Sequence, residues 1–436
     1  MVNYKSNYEK WNSEMQLKLL NFYKFLSNFA NDLVGAFVPL IIYSVTGKLF
    51  VALLYLCVKE AIRLGFALML RNKMQKNPQI FLLLRIITLT LYNVFIIVLD
   101  YNVWVGVCGI CIFFALDQCF KYQSAELIYN FSSIDKGGKS LGITRLFEKL
   151  GVIASMLIGG FLLDIDRVLV VIISLSLYAI SLIPLIIYYV KSRRSKTFNK
   201  DAISNAMESF NHDTKHSAYN KKIIRRIILG YAFVYFIFCT LDVFPTFYQL
   251  ELFLQGSNKF ALAGIFNALF NAGFGLGSVI VGKQNDKIDL TRHVQVSCFI
   301  IAISLLLFTF VKADAIVFML FAIDGFVYSY LSVFILQRFL VKSRILGVSN
   351  WAILFREWAS VACYVVMFGI SVIFSVLPEV LIYPMYLITA ATFIYCIYLI
   401  PKNEEKTRKL LVDFLEDNEI KSDKEEIEEK SNEVKA

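Results

Sequence analysis

Apolar residues in this chain run in blocks of about twenty, separated by short polar connections, rather than alternating with polar ones. A helix needs roughly 20 such residues to cross a hydrocarbon core about 30 Å thick. Twelve blocks meet that length: Leu20–Ser44, Lys48–Leu70, Gln79–Leu99, Val103–Ala125, Gly142–Leu163, Val168–Val190, Ile227–Leu250, Phe260–Gly282, Val294–Val311, Ala315–Phe339, Trp351–Leu377 and Val380–Ile400. Backbone groups in lipid must be satisfied within the segment, and these runs are too long and too uniformly apolar for barrel strands. The pattern predicts an all-α integral membrane protein with twelve transmembrane helices.

The pattern is also written twice. Phe114-Ala115-Leu116-Asp117 returns as Phe321-Ala322-Ile323-Asp324, Leu141-Gly142-Ile143 returns as Leu346-Gly347-Val348, and Asp32 has a counterpart in Asp242. The longest polar connection falls between the copies. The predicted organisation is therefore a cytoplasmic segment at 1–19, a six-helix bundle at 20–190, a central cytoplasmic loop at 191–222, a second six-helix bundle at 223–400 and a charged cytoplasmic tail at 401–436. In the tail, Leu410, Leu411, Phe414 and Leu415 fall at helical spacing, which predicts a short amphipathic helix followed by a disordered remainder. Repeated helix bundles in a bilayer are a common construction for secondary transporters.

Composition agrees: 58% of residues are hydrophobic and only 18% charged. The net charge of +10 points to topology rather than to nucleic acid, because its placement alternates. Arg71, Lys73 and Lys76, then Lys136 and Lys139, then Lys191 to Lys196, then Lys283, Lys287 and Arg292 occupy every second connection, and the intervening ones are cation-poor. The positive-inside rule then puts both termini in the cytoplasm, and the Phe-, Ile-, Lys- and Asn-rich usage suits a bacterial-type plasma membrane. Among the eight cysteines, Cys108 and Cys111 form a C-x-x-C, but without a second pair they predict packing rather than metal binding. Gly138-Lys139-Ser140 lacks the earlier glycine and the preceding strand of a phosphate loop, so no nucleotide hydrolysis is expected. No nucleophile–base pair or metal-ligand spacing stands out, and neither enzymatic activity nor a cofactor or metal is expected.

Two stretches carry a family resemblance. Gly282-Lys283-Gln284-Asn285-Asp286-Lys287-Ile288-Asp289 resembles the G-x-x-x-D-[RK]-x-G loop of the major facilitator superfamily. Gly282, Asp286 and Lys287 match, and Asp289 replaces the last glycine. Gly151-x-x-x-Ser155-Met156-x-x-Gly159-Gly160 resembles the G-x-x-x-G-P-x-x-G-G of that superfamily's exporters, with Ser155 and Met156 in place of Gly-Pro. The resemblance implies a latch at Gly282, Asp286 and Lys287. The small residues Gly151, Ser155, Gly159 and Gly160 predict close helix packing on the fifth span.

Four aspartates sit in apolar context: Asp32, Asp117, Asp242 and Asp324. Each ionised carboxylate at a helix centre costs about 2.5–3.5 kcal/mol on insertion scales, so each needs water, a partner or a proton. The resemblance implies that their helices, the first, fourth, seventh and tenth, line one cavity. Asp32 and Asp242 lack a cation within a turn and are the coupling candidates. Asn28, Asn31, Asp117, Gln118, Asp324 and Tyr328 are the candidates for contact with substrate. Lys121, one turn beyond Asp117, is placed to neutralise it. Glu60 with Lys59 and Arg63, Arg85, and Arg356 with Glu357 are expected to form interhelical bridges.

The resulting expectation is a monomeric secondary transporter, embedded in the lipid bilayer and using alternating access. Its partners would be a small organic molecule and a coupling ion, H+ or Na+. Few free bases are anticipated in the cavity, so the solute is expected to be neutral or cationic, with a slight lean to efflux. The rivals are a lipid or lipid-precursor flippase with a more apolar, laterally open cavity, and a non-transporting membrane receptor or assembly factor with a blocked one.

Overall fold

The computed structural model describes residues 2–76, 78–131, 137–194, 218–240, 246, 260–285, 291–308, 310, 314–345, 349–374 and 382–433. Thirteen helices occur among them. The first half contributes α1 (Val2–Gly35), α2 (Val38–Thr46), α3 (Leu49–Lys76), α4 (Pro78–Val98), α5 (Val103–Phe131), α6 (Gly137–Leu163) and α7 (Arg167–Arg194). The second contributes α8 (Ala218–Phe238), α9 (Phe260–Asn285), α10 (Thr291–Phe308), α11 (Asp314–Ile345), α12 (Ser349–Phe374) and α13 (Ile382–Glu433).

The first span is split into α1 and α2. Pro39 opens α2, and its ring conflicts with the carbonyl four residues back, that of Gly35, where α1 stops. Gly47 then closes α2 in the left-handed region (φ 63°), its N–H bonded to the Tyr43 carbonyl at 2.8 Å. Eight of the described helices are long and apolar enough to cross a membrane. α3 misses that standard because Lys59, Glu60 and Arg63 lie midway along it.

The tail departs from expectation. α13 continues without a break from Ile382 past Pro401 to Glu433, so the residues after the last span extend that helix instead of forming a short helix and a disordered remainder. Glu405 and Lys409, one turn apart at 2.8 Å, are of the pair type that supports a polar helix.

Packing follows the duplication. In the first half α4 lies against α5, α1 against α7 and α6, and α3 against α5. The corresponding pairs of the second half, α10 with α11, α8 with α13 and α12, and α9 with α11, pack in the same way. The halves meet along two seams, α6 with α9 and α3 with α12. Each seam joins the fifth span of one half to the second span of the other, so the seams are themselves equivalent.

Small residues make the α6 seam close. A methyl group at Gly151 would overlap the Phe25 carbonyl, and one at Gly159 would lie 2.5 Å from the Leu33 carbonyl, so α6 runs parallel to α1 in near-backbone contact. Between them Ser155 is fully buried, with its hydroxyl turned back to the Val152 carbonyl at 2.7 Å. The opposite face meets α9. Gly142 abuts Ser278 and Gly282, Gly160 abuts Phe260 and Ala261, and Gly264 abuts Met156, an antiparallel register. Absent side chains let two helices approach this way and gain dispersion contacts in lipid. At the far end of α6 the Asp164 carboxylate accepts the N–H groups of Phe260 (3.0 Å) and Ala261 (3.1 Å), capping the start of α9.

Candidate functional site: a charged cavity between the halves

Between the seams lies a cavity of about 410 Å³, within the usual size range for small-molecule sites. Helices of both halves line it. On α6 the lining runs from Arg145 to Met156, roughly 16 Å at 1.5 Å per residue. Asp32, half-buried on α1, faces it and accepts a 2.7 Å hydrogen bond from the Asn31 amide. Gln118 on α5 and Tyr328 on α11 also face it. Asn31 and Asn28 are buried behind Asp32 and do not line the cavity; neither amide atom of Asn28 has a hydrogen-bond partner among the described residues.

The other carboxylates lie elsewhere. Asp117 is fully buried and turned away from the cavity, against α4. Arg85 donates to it twice, from Nε (2.9 Å) and Nη2 (3.0 Å), and a third time, from Nη1, to the Tyr23 hydroxyl (2.8 Å). Lys121, expected to neutralise Asp117, lines the cavity instead. The reason is geometric: a guanidinium on the facing helix satisfies both carboxylate oxygens at once, which an ammonium one turn away on the same helix does not. Asp324 occupies the equivalent place in the second half. It is 2% exposed, turned towards α10, and takes a 2.8 Å hydrogen bond from Ser304. The expectation of four aspartates sharing one chamber is thus corrected for Asp117 and Asp324, which are sealed within their own halves.

Asp242 lies outside the described residues, as do Asp286 and Lys287 of the loop motif and the side chains of Arg356 and Glu357. Gly282 is at the end of α9, where it faces Gly142.

The charges that do face the cavity are mostly ones the sequence reading assigned to structure or passed over. Glu60 meets Lys59 (3.0 Å) and Arg63 (3.1 Å). The two ion pairs described here lie within α3, while the Arg63 guanidinium also stands over the Tyr364 ring of α12, 5.6 Å from its centre; all three residues line the cavity. On α6, Glu148 meets Arg145 (3.2 Å) and, from α1, Lys24 (3.4 Å). Lys149 reaches across the seam and donates to the Asn271 amide oxygen on α9 at 2.7 Å, with its ammonium 4.6 Å from the Phe274 ring centre. A signal for this face was available, because Arg145, Glu148, Lys149, Val152 and Met156 recur at steps of three and four along one apolar segment.

Among the described lining residues there are five cations, Lys59, Arg63, Lys121, Arg145 and Lys149, and three carboxylates, Asp32, Glu60 and Glu148. All eight belong to the first half. Among the described residues the second half contributes uncharged groups: the amides of Asn267 and Asn271, hydroxyls including Ser332, Ser360 and Tyr364, and the rings of Phe270, Phe274 and Phe368. The anticipated scarcity of cavity bases, on which a neutral or cationic solute rested, does not hold.

No family model matches the chain, and no curated protein matches it. Solved structures do. A bacterial homologue of the iron transporter ferroportin, in an outward-facing state with soaked iron, superimposes with a TM-score of 0.61 at 13% identity, covering 89% of this chain and 99% of that one. The major facilitator superfamily proton:xylose symporter XylE, bound to 6-bromo-6-deoxy-D-glucose, gives a TM-score of 0.62 at 13% identity, covering 89% of this chain and 95% of that one. The chain has the major facilitator fold and is a multi-pass membrane protein.

Proposed function

We propose that this chain is a secondary transporter, not an enzyme, and that it moves a small organic solute across the plasma membrane by alternating access. The observation that carries this reading is the cavity itself, enclosed by helices of both halves and flanked by two equivalent seams. Two bundles that touch along paired seams can rock about a site held between them. Both termini would be cytoplasmic, the protein a monomer, and Gly282, Asp286 and Lys287 a latch on the cytoplasmic face. Coupling to H+ or Na+ would run through Asp32, the carboxylate on the cavity wall that is bonded to an amide rather than to a cation, and through Asp242.

Eight charged side chains on the lining favour a water-soluble solute over a lipid, and an open chamber favours transport over a receptor with a blocked one. The neighbours' iron and sugar belong to those proteins; at 13% identity neither carries over. The test is reconstitution of the full chain in proteoliposomes, with counterflow exchange of labelled solutes. Exchange above protein-free vesicles supports the reading, and its absence across a broad solute panel removes it.

A further inference from the structure

We infer that the cavity selects an organic anion: a solute whose carboxylate or phosphate sits against α3 and α6 and whose uncharged, ring-bearing body lies against the second half. This deepens the transporter reading and rests on it for its physiological sense, although binding alone tests it.

The first support is stoichiometry. In each of the two clusters on the first-half wall a single carboxylate meets two cations: Glu60 with Lys59 and Arg63, and Glu148 with Lys24 and Arg145. Each trio carries one net positive charge. Lys121 and Lys149 add two more at the cavity and Asp32 removes one, leaving the described lining with an excess of two positive charges, not counting Lys24 behind it. A concave, low-dielectric site with one sign in excess concentrates the opposite sign and repels its own. A divalent or organic cation would meet that excess at close range. A neutral solute would leave it uncompensated.

The second support is the division between the two walls. Among the described lining residues all eight charges fall on the first-half side, which duplication by itself gives no reason to expect. The second half presents Phe270, Phe274 and Phe368 beside Asn267, Ser332 and Ser360. Rings with a few amides and hydroxyls bind an uncharged, partly apolar body and fix its orientation through hydrogen bonds. One wall therefore reads the charge and the other the body. Lys149, bonded to Asn271, stands where the two meet.

The experiment uses the purified full-length chain in detergent, with binding followed by calorimetry and by melting temperature. The probes are benzoate, 1-naphthoate and phenyl phosphate, against the isosteric benzamide, 1-naphthamide and benzylamine. At least one anion should bind tenfold or more tighter than its amide or amine counterpart. Comparing carboxylates with phenyl phosphate identifies the preferred head group. Arg145→Gln and Lys121→Gln should each weaken the anion about tenfold and leave the amides unchanged, and Arg145→Lys should restore most of the loss. Variants are scored only at wild-type melting temperature, and Lys121→Gln, which removes none of the four ion pairs above, serves if Arg145→Gln does not fold.

The inference is overturned if amides or amines bind as tightly as the anions, if no anion binds, or if both charge-removing variants keep wild-type anion affinity. The two readings fail separately. Anion binding without exchange in vesicles sinks the transporter and leaves the anion site standing. Exchange restricted to cations or neutral solutes does the reverse.

Discussion

Asp117 is held by Arg85 through two parallel N–H···O bonds of 2.9 and 3.0 Å, in a place where neither side chain reaches the surface. The pair joins α4 to α5, and through the Tyr23 hydroxyl and the Tyr178 ring it ties in α1 and α7. Four helices of the first half thus converge on one guanidinium. Removing one partner leaves an uncompensated buried charge, which costs about 3–5 kcal/mol. Arg85→Ala and Asp117→Leu are each expected to lower the melting temperature sharply in detergent. The double variant Arg85→Met with Asp117→Leu should recover much of that loss. Single variants that melt like the wild type would contradict this account.

The duplicated position behaves differently. Asp324 has one hydroxyl partner, Ser304, and its Oδ1 has no hydrogen-bond partner among the described residues. Asp324→Asn breaks no ion pair described there, so its effect on melting should be much smaller than that of Asp117→Asn. Ser304→Ala removes the carboxyl's hydroxyl donor and is expected to cost about 1–3 kcal/mol. Side-by-side unfolding of the two Asp→Asn variants decides the matter: equal losses would mean the two sites are not built differently.

Seam glycines should fail by overlap. Gly160 and Gly264 lie in backbone contact between α6 and α9, and forcing volume into such a contact costs about 1–3 kcal/mol. Gly160→Val and Gly264→Val should destabilise the protein and impair exchange. Among the described residues, Gly65 and Gly369 have no neighbouring atom within 4 Å of an added methyl. Gly65→Ala and Gly369→Ala should be neutral or should stabilise by about 0.5–1 kcal/mol, as expected when a helical glycine gains a side chain. Melting curves of the four variants check the contrast.

Asp32 carries the coupling proposal. With Asp32→Asn, solute exchange in vesicles should persist while accumulation driven by an imposed proton or sodium gradient is lost. Accumulation that still follows the gradient as in the wild type would free Asp32 from this role.

Lys149→Met keeps the aliphatic stem but removes the bond to Asn271 and the cation beside Phe274. If the contact steadies the α6 seam at the cavity, both melting temperature and solute affinity should fall. Asn271→Ala should reproduce the part due to the hydrogen bond alone, and the two losses should not add.

Twelve apolar blocks, the duplication and the close packing of Gly151, Ser155, Gly159 and Gly160 were legible because bilayer thickness and small-residue spacing act on local sequence. The cavity was only partly legible. Asp32, Gln118 and Tyr328 face it as expected, whereas Asp117 and Asp324 do not. Spacing along one helix pointed to Lys121 as the partner of Asp117, but the partner came from α4. Arg145, Glu148 and Lys149 become a cavity wall only through the packing of α1 and α9 against α6.

The sequence by itself determined that this chain spans a membrane as two related helix bundles, because burying a backbone in hydrocarbon leaves few alternatives. Only the tertiary structure decided which charges meet one another and which meet water. Ion pairing depends on distances between helices far apart in the chain, and a rotation of a few tens of degrees about a helix axis moves a carboxylate from the chamber wall to a dry seam.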